Sequence, residues 1–247
     1  WKLLDNSKVY NHKVIPILTE EESKHLIRWH NSHRHLDTVG SAVDYQGTRK
    51  LHIKNEGIRL LFQKVETHCT AEIYKATGKV FYPEMSSLCK WHRGGYQNPH
   101  LDTYSNQEMG EVDEEAVDSG REKPSREWTC IVYLNDDFSG GETYFPPSEY
   151  YPFGHQVEPT IGSGLLFQGI YHGHGVFKIR RGPRHTIALW FTEDMHKAMT
   201  SRPVSDLGHN ENTIRNSLNF NKDDLLFTPT IHNDSEWFEY KRNAKNL

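Results

Sequence analysis

The sequence is poor in cysteine, in long apolar runs and in net charge, and each shortage removes a class of protein. Its three cysteines, Cys69, Cys89 and Cys130, include no C-x-x-C spacing and cannot all pair with one another. Neither a disulfide framework nor a cysteine zinc knuckle is expected, and buried thiols are the simpler reading. No stretch approaches 18 consecutive apolar residues, so the chain offers no candidate membrane-spanning helix. Twenty-nine Lys and Arg stand against 33 Asp and Glu, a formal charge of −4. With no long basic block, nucleic acid is not an expected partner. What the 247 residues do contain is 35% hydrophobic residues with 6 Trp, 12 Tyr and 11 Phe, enough for one sizeable core and a single domain over 1–247. The first residue is Trp1 rather than Met, which reads as a start inside a longer gene product and leaves the compartment open between cytoplasm and endoplasmic reticulum lumen.

The N-terminal part, residues 1–80, reads as mainly helical support. Thr19 and Glu22 stand three apart just before Leu26, Ile27 and Trp29, the pattern of a capping box. A second helix is predicted from about Glu56 to Lys75, because Ile58, Leu61, Phe62, Val65, Cys69 and Ile73 recur at steps of three or four. The texture changes near Phe81. Trp128 to Leu134 is a nearly unbroken apolar run, and Asp136 to Gly141 then turns the chain into Glu142 to Phe145. Gly164 to Phe167, His174 to Ile179 and Arg184 to Thr192 add strands. Helices first and an antiparallel sheet afterwards give an α+β class with a jelly-roll core over 81–195. Residues 105–125 hold seven acids and two bases and are expected to form an acidic surface loop, read as a lid favouring a cationic substrate. Residues 196–247 are expected to pack on the core as a tail.

The chemistry rests on a His-x-Asp triplet, whose i and i+2 side chains share one face of a strand and reach one metal. It occurs as His35-Leu36-Asp37, His100-Leu101-Asp102 and His232-Asn233-Asp234, and about one occurrence is expected by chance for this composition. His35 follows the first helix among polar residues and His232 lies in the polar tail, so both read as solvated. His100 follows the glycine-hinged aromatic stretch Trp91 to Tyr96 and precedes the β core. A facial triad needs a third ligand from a distant strand, and the candidates are His172, His174 and His185. On the last strand, alternation puts Arg184, Thr186, Ala188 and Trp190 on one face and His185, Ile187, Leu189 and Phe191 on the other. An arginine facing the barrel is costly unless it meets a bound carboxylate.

Two segments carry a resemblance. Tyr133-Leu134-Asn135-Asp136-Asp137-Phe138-Ser139-Gly140-Gly141-Glu142, and Pro183 to Thr192, within about Lys90 to Thr192, resemble the iron(II)/2-oxoglutarate dioxygenases of the prolyl hydroxylase superfamily. They are similar in particular to the prolyl 4-hydroxylases and to the leprecan, collagen prolyl 3-hydroxylase branch. The resemblance implies a double-stranded β-helix (cupin-like) with helices packed on the sheet. It implies that His100, Asp102 and His174 bind Fe(II), since the family's distal histidine precedes its cofactor-binding basic residue by ten positions, as His174 precedes Arg184. Arg184 then holds the far carboxylate of 2-oxoglutarate, with Thr129 and Thr186 as supporting contacts. Trp91 departs from the pattern, standing where related prolyl 4-hydroxylases commonly have Tyr.

The implied reaction consumes O2 and 2-oxoglutarate, releases succinate and CO2, and hydroxylates an aliphatic C–H, with ascorbate as a reductant. Asp102 argues against halogenation, because halogenating relatives lack the carboxylate. Trp190 argues against nucleic-acid demethylation, because those relatives carry a second Arg there. The expected substrate is a prolyl or other amino-acid residue in a peptide or protein. A free amino acid or small metabolite is the alternative, followed by a non-catalytic cupin-like metal-binding module. A Zn(II) hydrolase would leave Arg184 unexplained. Oligomeric state is not legible.

Overall fold

The computed structural model describes residues 1, 9–39, 43–103 and 126–198. The expected acidic loop, His232 and the C-terminal tail beyond residue 198 lie outside the described residues.

Two helices form where the sequence periodicity places them. The first, α1 (Glu20–Ser32), opens on the predicted box: Thr19 Oγ accepts from the Glu22 backbone N–H at 3.2 Å and the Glu22 carboxylate accepts from the Thr19 N–H at 2.7 Å. The second, α2 (Glu56–Thr77), starts on Asn55, whose side chain accepts from Ile58 N–H at 3.0 Å, and stops at Gly78 in the left-handed region.

Before and between these helices run three short strands that the mainly helical reading of residues 1–80 did not anticipate: β1 (Lys13–Pro16), β2 (Thr38–Val39) and β3 (Val43–Arg49). They are short, and β1 and β3 have partners far away in sequence. β1 pairs antiparallel with β8 (Ser163–Phe167), while β3 pairs with the long β4 (Tyr82–His100). The remaining strands are β5 (Trp128–Tyr133), β6 (Thr143–Phe145), β7 (His155–Val157), β9 (His174–Val176) and β10 (Arg184–Thr192). Their order is β1-β8-β5-β10-β4-β9-β6-β7, antiparallel throughout, with β3 on the side of β4 and β2 beyond it. The curled antiparallel sheet with helices on one side bears out the α+β, double-stranded β-helix class.

The alternation along β10 divides two cores. Ile187, Leu189 and Phe191 pack with Leu26 and Trp29 of α1 and with Ile58, Phe62, Val65 and Cys69 of α2. On the other face, Ala188 and Trp190 join Cys89, Trp91, Val176 and Ile179 inside the barrel. A third cluster, Tyr133, Phe145, Val157, Leu165 and Phe167, closes the barrel's far side. The three cysteines are buried and free, as expected.

Around the first His-x-Asp triplet, His35 is exposed as read from sequence. Asp37 is not: its side chain is buried and accepts hydrogen bonds from His30 Nε2 and Thr48 Oγ, each at 2.7 Å, and from Arg34. That carboxylate pins the end of α1 to β3.

Candidate metal and cofactor site

β4 is long enough to belong to both halves of the barrel. Its first part pairs with β10, setting Trp91 opposite Arg184; its last residues pair with β9, setting His100 opposite His174. Gly94, at φ +94°, makes the bend between them and donates its N–H to Ile179 O at 2.9 Å. A side chain is strained in that backbone conformation.

The pairing brings together the residues the sequence singled out. One donor atom each from His100, Asp102 and His174 lie within 4.8 Å of one another. Nε2 of His100 is 3.7 Å from Asp102 Oδ1, and Nε2 of His174 is 3.6 Å from Oδ2. Each imidazole is oriented by its other nitrogen, His100 Nδ1 on Asn98 O at 3.0 Å and His174 Nδ1 on His172 O at 3.1 Å. Carbonyl oxygens only accept, so both Nδ1 atoms carry the proton and both Nε2 atoms are acceptors, that of His100 taking a hydrogen bond from the Gln97 side-chain amide at 3.1 Å. Burial lowers the His174 pKa to about 4, against the pull of Asp102. Burial pushes the Asp102 carboxyl up, but the His174 and His100 rings and the Thr129 hydroxyl outweigh it and hold the acid below its ordinary range. Two neutral imidazoles and an ionised carboxylate converging on one point fit a divalent first-row metal.

The other two histidine candidates are placed elsewhere. His172 is buried with Nε2 on Tyr10 O at 2.7 Å. His185 lies on the helix-facing side of β10, its ring 6.2 Å from His30 of α1, and burial depresses its pKa to about 3.

Farther inside the barrel, Arg184 is 2% exposed. Its Nη2 donates to Thr143 Oγ at 3.2 Å, the Tyr133 hydroxyl donates to the same oxygen at 2.8 Å, and the guanidinium lies 5.5 Å from the Trp91 ring and 5.4 Å from the Tyr133 ring. Thr186 is buried on the same face, opposite Tyr133 across the ladder. Trp91 thus meets Arg184 with the face of its indole. Thr143 and Tyr133 were missed by sequence reasoning. Tyr133 is hidden in an apolar run; the alternation Thr143-Tyr144-Phe145, with Phe145 inside, was the available signal for Thr143.

Thr129 sits beside the triad. Its hydroxyl donates to Asp102 Oδ2 at 2.5 Å, and its register partner on β10 is Trp190.

A two-histidine, one-carboxylate face in a double-stranded β-helix, together with a buried arginine, is the arrangement expected of non-haem iron oxygenases. Comparison with known proteins agrees. Residues 86–192 match the 2OG-Fe(II) oxygenase superfamily. Rat (Rattus norvegicus) prolyl 3-hydroxylase 1 is 38% identical over 82 residues, which is 33% of this chain and 11% of that protein. Mouse (Mus musculus) prolyl 3-hydroxylase 2 is 36% identical over 87 residues, 34% and 12%. The matched part of the chain therefore spans only about a ninth of the length of these curated relatives. Among solved structures, the viral collagen prolyl hydroxylase of Paramecium Bursaria Chlorella virus-1 shares the fold at a TM-score of 0.53 and 19% identity, over 73% of this chain and 94% of that one. HygX from Streptomyces hygroscopicus, solved with nickel and 2-oxoglutarate, does so at 0.53 and 12%, over 81% and 90%. The match to the 2OG-Fe(II) oxygenase superfamily is confined to residues 86–192, and the similar proteins include prolyl hydroxylases.

Proposed function

We propose that this chain hydroxylates an aliphatic C–H of a prolyl or other amino-acid residue in a polypeptide. The co-substrates are O2 and 2-oxoglutarate: one oxygen atom enters the C–H bond, the other enters succinate, and CO2 leaves. The observation that carries the reading is Arg184, buried on the same interior face as the triad and flanked by the hydroxyls of Thr143 and Tyr133.

His100, Asp102 and His174 would hold the metal on one face, leaving the opposite face for a chelating 2-oxo acid and for O2. Bound Fe(II) supplies the oxidising chemistry; the protein's part is position, charge and dryness. The guanidinium of Arg184 binds the distal carboxylate as a fork. Thr143 fixes that fork from one side, and the ring faces of Trp91 and Tyr133 hold it in place. Cys89, Val176, Ile179 and Ala188 line the barrel with apolar surface, which keeps water from the reacting atoms.

The experiment is a mass-spectrometric screen of proline-containing peptides beside free amino acids, with Fe(II) and 2-oxoglutarate. A peptide product about 16 mass units heavier, matched by succinate and lost in His174→Ala, supports the reading. Product from free amino acids alone would refute the polypeptide assignment, and succinate release untouched by His174→Ala would refute the site. A small-molecule substrate, the first of these outcomes, has a structural precedent in kind, since HygX was solved with hygromycin B bound, at a TM-score of 0.50 to this chain.

A further inference from the structure

We propose that Thr129 is a positioning residue that commits Asp102 to binding metal through one oxygen. The inference rests on His100, Asp102 and His174 being the metal site.

Burial and two hydrogen bonds bear on Asp102. Its backbone N–H donates to Gly169 O at 3.1 Å, its side chain is 6% exposed, and its Oδ2 accepts from Thr129 Oγ at 2.5 Å. Thr129 is itself buried and set in the ladder between β8 and β10, opposite Phe167 and Trp190. The space is filled to the atom at this point: a Cβ on Gly169 would come within 2.4 Å of both Asp102 Oδ2 and Thr129 Oγ. Position 169 therefore excludes any side chain, and the absence of one lets the hydroxyl and the carboxylate meet.

The consequence is one of coordination. The two carboxylate oxygens stand at nearly equal distances from the two imidazole nitrogens, 3.7 and 3.6 Å, so the ligand geometry alone does not choose between one-oxygen and two-oxygen binding. A two-oxygen aspartate would occupy one of the three positions that a chelating 2-oxo acid and O2 require. Thr129 breaks the symmetry, because a strong hydrogen bond to an ionised carboxylate engages Oδ2 and leaves Oδ1 as the metal donor. Outer contacts of this kind carry about 10- to 100-fold in metal affinity.

The test uses purified protein under anaerobic conditions, first with Fe(II) alone and then with 2-oxoglutarate added. Thr129→Val keeps the shape and removes the donor; Thr129→Ser keeps the donor and removes the methyl. The expected result is about 10- to 100-fold weaker Fe(II) binding in Thr129→Val, a diminished visible charge-transfer band on adding 2-oxoglutarate, and wild-type behaviour in Thr129→Ser. Wild-type Fe(II) affinity and band in Thr129→Val overturn the inference. So does a serine variant that behaves like the valine one, since packing would then be the cause. Unchanged Fe(II) binding with weakened 2-oxoglutarate binding would return Thr129 to the cofactor and also overturn it. His174→Ala separates the underlying reading: if it binds Fe(II) like wild type, the metal site itself is wrong.

Discussion

Replacing Arg184 tests the cofactor pocket most directly. The side chain is 2% exposed, and its guanidinium touches Thr143 and two ring faces. In Arg184→Met a bound 2-oxoglutarate would bury its distal carboxylate without a counter-charge, and stranding one member of a buried ion pair costs about 3–5 kcal/mol. At about 1.36 kcal/mol per tenfold, 2-oxoglutarate binding weakens roughly 150- to 5,000-fold. Arg184→Lys keeps the charge but loses the planar fork; forfeiting a charge-assisted hydrogen bond of about 1.5–3 kcal/mol predicts a loss of roughly 10- to 150-fold. Tyr133→Phe removes a neutral bond to Thr143, about 0.5–1.5 kcal/mol and hence roughly 2- to 12-fold. Anaerobic titration of the Fe(II)-loaded protein with 2-oxoglutarate measures all three, with Fe(II) affinity itself expected to stay at the wild-type value. If Arg184→Met binds 2-oxoglutarate within threefold of wild type, the arginine does not hold the carboxylate and the reasoning fails.

Other predictions concern the scaffold. His185 is buried with its pKa lowered to about 3 from 6.5, so between those values the unfolded chain binds the extra proton; stability is full above pH 6.5 and falls by about 1.4 kcal/mol per pH unit as the pH drops towards 3. Urea midpoints should show a shallower acid slope in His185→Gln than in wild type, and equal slopes would contradict the assignment. Removing the α1 cap with Thr19→Ala should cost about 1 kcal/mol, read as a lower urea midpoint with an unchanged slope. Glu66 is buried, pairs with Lys50 at 2.5 Å and accepts from Ser86 at 2.8 Å; Glu66→Ala should destabilise by about 3–5 kcal/mol, while the double change Lys50→Met with Glu66→Leu should recover most of it.

Period and punctuation carried much of the fold into view. The helix bounds follow from a capping box and a 3.6-residue apolar stripe, both local signals, and the alternation on β10 separated Arg184 from His185 before any strand was paired. Strands β1, β3 and β7 escaped because three to seven residues of mixed character carry little pattern of their own; what makes them strands is a partner. The same limit explains the site. His100 and Asp102 are two residues apart and legible together, whereas Thr143 acquires meaning only when β6 pairs with β9 and brings its hydroxyl to Arg184. The contact of Thr129 with Asp102 was equally out of reach, because it depends on how two segments 27 residues apart in sequence meet.

The division of β10 into two faces also explains how the site holds its shape. A pocket built from Arg184, Thr186, Ala188 and Trp190 has little freedom of its own, since the intervening residues Ile187, Leu189 and Phe191 are fully buried against α1 and α2. Moving Arg184 along or about its strand would drag those three side chains out of a close-packed layer, and burial of each is favourable by roughly 1.5–3 kcal/mol. The helices therefore hold Arg184 in place from the opposite face of β10. Their packing fixes the register and rotation of β10, and the ladders from β10 to β4 and from β4 to β9 carry that register to His100 and His174. His100, His174 and the buried arginine stand on strands of one continuous sheet, with Asp102 in the turn just past β4, and one apolar layer anchors β10 from behind, which is the rigidity that positioning of a small chelating co-substrate requires.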